Sequence, residues 1–182
     1  MSHGGARKET PRNKGMVITR NDLFAFFDKH NIDQTTVEHA AAHTVEQAQA
    51  NRGTLPGGHA KNLFLKCKKG SLWPIVAQED TPIRLNHLHK RIGSGRLSFG
   101  SADLMMEVLG IVPGSVTPFA LLNDKQQRIN LILDKLLMEH DPLNFHPLEN
   151  TATMTVSKEG FFRFLEKCGF APKIMDLSDN SA

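Results

Sequence analysis

Gly57-Gly58-His59-Ala60-Lys61-Asn62-Leu63-Phe64-Leu65-Lys66 reads as a strand entering a hairpin. Leu63 and Leu65 alternate with their neighbours. Lys69-Gly70-Ser71 then offers a turn into a second apolar run, so Leu63–Lys68 and Leu72–Gln78 are the expected pair. Lys61 and Asn62 stand at the mouth of the first strand, just after the Pro56-Gly57-Gly58 bend. Glycine has no Cβ, so such a bend lets another group approach the backbone closely. The expected visitor is a substrate, met by a lysine and a carboxamide.

Outward from this hairpin the pattern is mixed. Thr19, with Asp22 three residues on, opens a helix to about Lys29 whose stripe is Leu23, Phe24, Phe26 and Phe27. Thr44 and Gln47 open a short helix to about Asn51. Leu85–Ile92 is a basic helix stopped by Gly93, and Ser101 caps a helix to Leu109 with Gly110 behind it. Thr117–Asn123 and Arg128–Leu133 are expected strands joined at Asn123-Asp124, and Ala152–Val156 is another. Ser157 begins a last helix that ends at Gly169. Strands and helices interleave without a βαβ rhythm, which predicts an α+β domain. The expected organisation is a basic leader over residues 1–15, one domain over 16–177 and a tail over 178–182.

Charge is unevenly placed. The net charge is +3, and residues 1–15 alone supply that excess. Between Lys61 and Arg96 eight cations face only Glu79 and Asp80. That basic stretch suits an anionic partner such as a phosphate backbone. Within it, Lys66, Lys68, Lys69, Lys90, Arg91 and Arg96 are candidate phosphate contacts. No apolar run approaches the roughly 18 residues of a membrane span, and the start of the chain has no signal-peptide apolar core. Cys67 and Cys168 lack a CxxC partner and read as reduced thiols of a cytoplasmic protein.

Several chemistries find no motif. His39 and His43 lack the glutamate of a zinc-protease helix, and His87 and His89, two apart on a helix, do not share a face. There is no P-loop, no GxGxxG and no GxSxG. No metal and no cofactor is expected. What remains is Lys61, which can stabilise developing negative charge. Beside it stand Gly114-Ser115-Val116-Thr117-Pro118, whose amides can converge on an oxygen, and His146, held extended before Pro147.

These segments occur in one order: Gly57 to Lys66, Gly93-Ser94-Gly95-Arg96-Leu97-Ser98-Phe99-Gly100, Leu109 to Phe119, and Asn144-Phe145-His146-Pro147-Leu148. The series resembles the YbaK / prolyl-tRNA-synthetase-associated domain family, and within it the free-standing ProX-type deacylases that hydrolyse alanyl-tRNA(Pro). It spans about residues 16–177. The resemblance implies a mixed, barrel-like sheet wrapped by helices, and trans-editing of mischarged tRNA. It implies that Lys61, Asn62 and His146 are catalytic and that Gly114, Ser115, Val116, Thr117 and Pro118 grip the aminoacyl group. Lys66 and Arg96 would hold the tRNA(Pro) acceptor end, and prolyl-tRNA synthetase is an implied partner. Ala40-Ala41-Ala42 departs from the family pattern, where prolines are often found. A cysteinyl-tRNA(Pro) deacylase and a non-catalytic tRNA- or synthetase-binding module stay open as alternatives.

Overall fold

The computed structural model describes residues 16–42 and 44–180; the leader expected over residues 1–15 lies outside them. In chain order the elements are α1 (Arg20–Lys29), β1 (Gln34–Glu38), α2 (Val45–Arg52), β2 (Gly58–Cys67) and β3 (Leu72–Gln78). Then come α3 (Leu85–Ile92), β4 (Leu97–Phe99), α4 (Ala102–Leu109), β5 (Ile132–Asp134) and β6 (Leu143–Phe145). β7 (Ala152–Val156), α5 (Lys158–Cys168) and β8 (Lys173–Met175) complete the domain. The strands form a mixed sheet in the order β1-β7-β6-β2-β3-β5-β8, with β4 also on β2. The α+β architecture is as expected.

Local chemistry explains most boundaries. Thr19 and Asp22 form a reciprocal capping box at α1. Thr44, Ser101 and Ser157 cap α2, α4 and α5 through their hydroxyls. Gly93, Gly110 and Gly169 end α3, α4 and α5 in the left-handed conformation.

Alternation along β2 and β3 divides the interior in two. Phe64 and Val76 face one core, which holds α1, α4, α5 and an aromatic cluster. Leu65, Cys67, Ile75 and Ala77 face the other, closed by α3 and Leu177. Both faces of the hairpin are therefore buried, which explains why apolar runs as well as alternation mark it.

Two expected strands are corrected. Thr117–Asn123 is instead a 3-10 helix over Pro118–Asn123. Thr117 caps it through its hydroxyl and Pro118 supplies the fixed φ of a first helical position. Arg128–Leu133 contributes a strand only at Ile132–Asp134, because Leu72 and Asn130 meet through isolated contacts before the regular ladder starts. β1, β4, β6 and β8 were not expected as strands. All are three to five residues long and carry little periodicity of their own.

Candidate functional site

β2 is paired with β3 along one edge from Ala60 to Lys66. Its other edge is paired only at the ends among the described residues: Gly58 and His59 with β6, and Leu65 to Cys67 with β4. Between those ends the sheet opens. A cleft of about 520 Å³ lies there, lined by Lys61, Asn62, Gly114, Val116, His146 and Thr153 among others. Three segments far apart in sequence thus meet at one gap in a β-ladder.

Lys61 is half-buried, and its Nζ donates to the carbonyl of Thr81. Removal from water pulls its pKa below the ordinary lysine value, while Asp80, Asp134 and Glu79 pull the other way. An ammonium has three donors. With one on Thr81, two are left without an acceptor among the described residues.

The Thr81 segment is itself fixed. Asp134 is fully buried (0% exposed) and accepts from Thr81 Oγ1 at 2.6 Å and Gln78 N at 3.1 Å. It also accepts from Leu136 N at 3.3 Å and Leu177 N at 3.4 Å. Asp134 therefore positions the loop that positions Lys61. Sequence reading missed it. The available signal was a carboxylate inside Leu131-Ile132-Leu133-Asp134, where only a well-bonded one is tolerated.

Asn62 lies beside Lys61 on the opposite face of β2, and its Oδ1 is buried without a hydrogen-bond partner. The 114–118 loop crosses in front of it. Gly114 takes φ +90°, a conformation that favours glycine, and Gly114 and Val116 line the cleft. Ser115, Thr117 and Pro118 turn inward and are buried. The next residue, Phe119, packs on Phe27, Phe145 and Phe164 with ring centroids 5.1–5.4 Å apart. The loop is thus clamped from behind by the aromatic core.

His146 closes the far wall. Its Nδ1 lies 3.2 Å from the Ala152 carbonyl. A carbonyl only accepts, so Nδ1 carries the proton and Nε2 is a free acceptor. Burial pushes its pKa below 6.5; the Ala152 hydrogen bond opposes this, and nearby His39 adds to it. His39, absent from the candidate set, bonds Thr153 Oγ1 at 2.9 Å and also lines the cleft.

One expectation is corrected at the glycine bend. Gly57 and Gly58 do not leave room for a substrate. A Cβ on Gly57 would meet the Pro142 carbonyl at 2.1 Å, and one on Gly58 would meet His140 at 2.8 Å. The bend serves close packing of β2 against the approach to β6. Lys66 and Arg96 are outside the cleft: Lys66 is half-buried opposite Ser98, and Arg96 is exposed just before β4. Arg91 is engaged by the carbonyls of Asp176, Leu177 and Ser178. Cys67 and Cys168 are both free thiols. Among the described residues no three His, Cys, Asp or Glu side chains group to hold a metal ion, and no helix is long and apolar enough to cross a membrane.

A lysine, a histidine and a clamped glycine loop stand around the gap in this mixed sheet. The family model described as Aminoacyl-tRNA editing domain matches residues 39–164, and the chain belongs to this family. It is 34% identical over 163 residues to prolyl-tRNA synthetase associated domain-containing protein 1 of Danio rerio, covering 88% of this chain and 89% of that one. It is 32% identical to the prolyl-tRNA editing protein ProX of Acetoanaerobium sticklandii, covering 85% and 95%. A solved crystal structure of a hypothetical protein shares the fold at TM-score 0.67 and 18% identity, over 86% of this chain and 99% of that one.

Proposed function

We propose that this protein is a trans-acting deacylase that hydrolyses the ester of mischarged alanyl-tRNA(Pro). The observation that carries the reading is the convergence of Lys61, the 114–118 loop and His146 on one cleft. The ProX relative, named as a prolyl-tRNA editing protein, supports it.

An aminoacyl ester is already activated, so no protein nucleophile is required. Water adds to the ester carbonyl, the ribose oxygen leaves with a proton, and free alanine results. The two free donors of Lys61 stabilise the charge that develops on oxygen or hold the terminal ribose. Nε2 of His146 accepts a hydrogen bond from the substrate ammonium or the attacking water. Gly114 and Val116 bound the pocket on the side where the amino-acid side chain sits. Its acceptor-end partner is tRNA(Pro), with prolyl-tRNA synthetase as the source of the mischarged substrate, in the cytoplasm.

Single-turnover deacylation of alanyl-tRNA(Pro) tests this. Wild type releases alanine, and Lys61→Ala is slower by about a hundredfold or more, as when one oxyanion donor is removed. Turnover of alanyl-tRNA(Pro) by Lys61→Ala at the wild-type rate would remove Lys61 from the mechanism. Binding without turnover by the wild type would favour the non-catalytic module.

A further inference from the structure

Phe99 is the one phenylalanine or tryptophan in the exposed class among the described residues, at 62% exposed. The other aromatic side chains are buried or half-buried. It ends β4, the short strand that bounds the open edge of β2. Pairing with Leu65 puts it on the same face as Leu63 and Lys61. From Leu65 to Lys61 is four residues of strand, about 13 Å. Lys66, paired with Ser98, lies on the opposite face of this two-stranded ribbon, and exposed Arg96 immediately precedes it. Neither cation forms an ion pair with a described residue.

We infer that Phe99 is a stacking platform for a base of the unpaired tRNA 3′ strand, one upstream of the terminal nucleotide whose ester reaches Lys61. This rests on the deacylase reading and deepens it. A single strand needs a π-face for its bases and cations for its phosphates. The ribbon edge offers both, with the ring on one side and Lys66 and Arg96 at the other. The basic excess between Lys61 and Arg96 complements a polyanion and gives an apolar protein surface no comparable reason to settle there. The occupant is therefore the unpaired strand. A base on Phe99 and an ester at Lys61 would fix the strand at two points, so binding energy at Phe99 is used to place the ester.

The test compares alanyl-tRNA(Pro) with the alanyl ester of adenosine, which ends at the terminal nucleoside, for wild type, Phe99→Ala and Phe99→Trp. Phe99→Ala should lower the ratio of kcat/KM on tRNA to kcat/KM on the nucleoside ester by about ten- to a hundredfold. Phe99→Trp should restore it. An abasic nucleotide in place of the stacked one should cost the wild type the same factor and cost Phe99→Ala nothing further. An unchanged ratio in Phe99→Ala, or fully additive losses with the abasic tRNA, overturns the platform. Loss of synthetase binding with the ratio intact would make Phe99 a protein contact and equally overturns it. Equilibrium binding of uncharged tRNA(Pro) reads the contact without chemistry. If the wild type cleaves neither ester, the deacylase reading falls, yet a Kd raised by Phe99→Ala still supports the platform and an unchanged Kd overturns it.

Discussion

The proposed mechanism places opposite protonation demands on Lys61 and His146 in one cleft. It uses Lys61 as a cation, and burial holds the lysine's pKa below the ordinary value. It uses His146 as a neutral acceptor at Nε2, and burial with His39 nearby holds that pKa below 6.5. The proposed reaction requires one group protonated and the other not. Single-turnover rates against pH should therefore form a bell. The acid limb falls below 6.5 as His146 gains a proton, and the alkaline limb falls below the usual lysine range as Lys61 loses one. His146→Asn should remove the acid limb, and Lys61→Arg should remove the alkaline one, since guanidinium stays charged. An acid limb that persists in His146→Asn would assign it to another group. Gly57 makes a second residue-scale case. Its φ is +98° and a Cβ there would strike backbone. Gly57→Ala should lower unfolding free energy by about 2–4 kcal/mol, read by urea denaturation, whereas Gly70→Ala meets nothing within 4 Å and carries only its φ +85° strain.

Between elements, two buried polar residues join the strands around the gap. Asn144 on β6 is 3% exposed; its Nδ2 donates to Pro56 at 2.9 Å and Gly58 at 3.2 Å, and its Oδ1 accepts from Thr155 at 2.6 Å. Asn144→Asp turns two good contacts into a carboxylate facing two carbonyls. It should cost about 3 kcal/mol of stability, read as a lower urea midpoint with an unchanged slope. Asp134→Asn leaves four donors to one oxygen and should both lower the midpoint and slow deacylation, because Thr81 no longer holds Lys61 firmly. Such ties explain what could be read in advance. The β2–β3 hairpin, five helices and their caps were legible because local chemistry specifies them, as Thr19 with Asp22 shows. Lys61, His146 and Gly114 were singled out by their local chemistry and by the ordered motifs, but their meeting at one cleft could not be read in advance, since no spacing rule joins residues so far apart. Asp134, Thr81 and His39 were not legible. Their roles exist only once β5 lies beside β3 and β1 beside β7. The Gly57-Gly58 bend was misread because glycine signals close approach without saying what approaches.

At the scale of the molecule, the proposed deacylase must choose between amino acids at the cleft while the cations of the β2–β4 ribbon hold a polyanion, and the two tasks respond to different variables. Selection rests on volume at Gly114 and Val116, backed by the rigid Phe119 cluster. A pocket walled in this way rejects the larger prolyl ring sterically but discriminates weakly against a missing methyl, worth about 1–3 kcal/mol. Glycyl-tRNA should therefore be cleaved slowly and prolyl-tRNA(Pro) spared. Rapid loss of proline would break the size argument. Holding the proposed tRNA substrate would rest on charge. In this reading Lys66 and Arg96 present about two cations to the phosphates of a single strand, and neutralised phosphates release counterions at about 0.7 per contact. The plot of log affinity against log salt should then slope at about −1.4. Lys66→Ala and Arg96→Ala should each flatten it by somewhat less than one unit and weaken binding alike for every sequence. Phe99→Ala should weaken binding and leave the slope unchanged, because a stacked ring releases no counterions. A wild-type slope several times steeper would require a second tRNA-binding surface beyond the cleft and its ribbon.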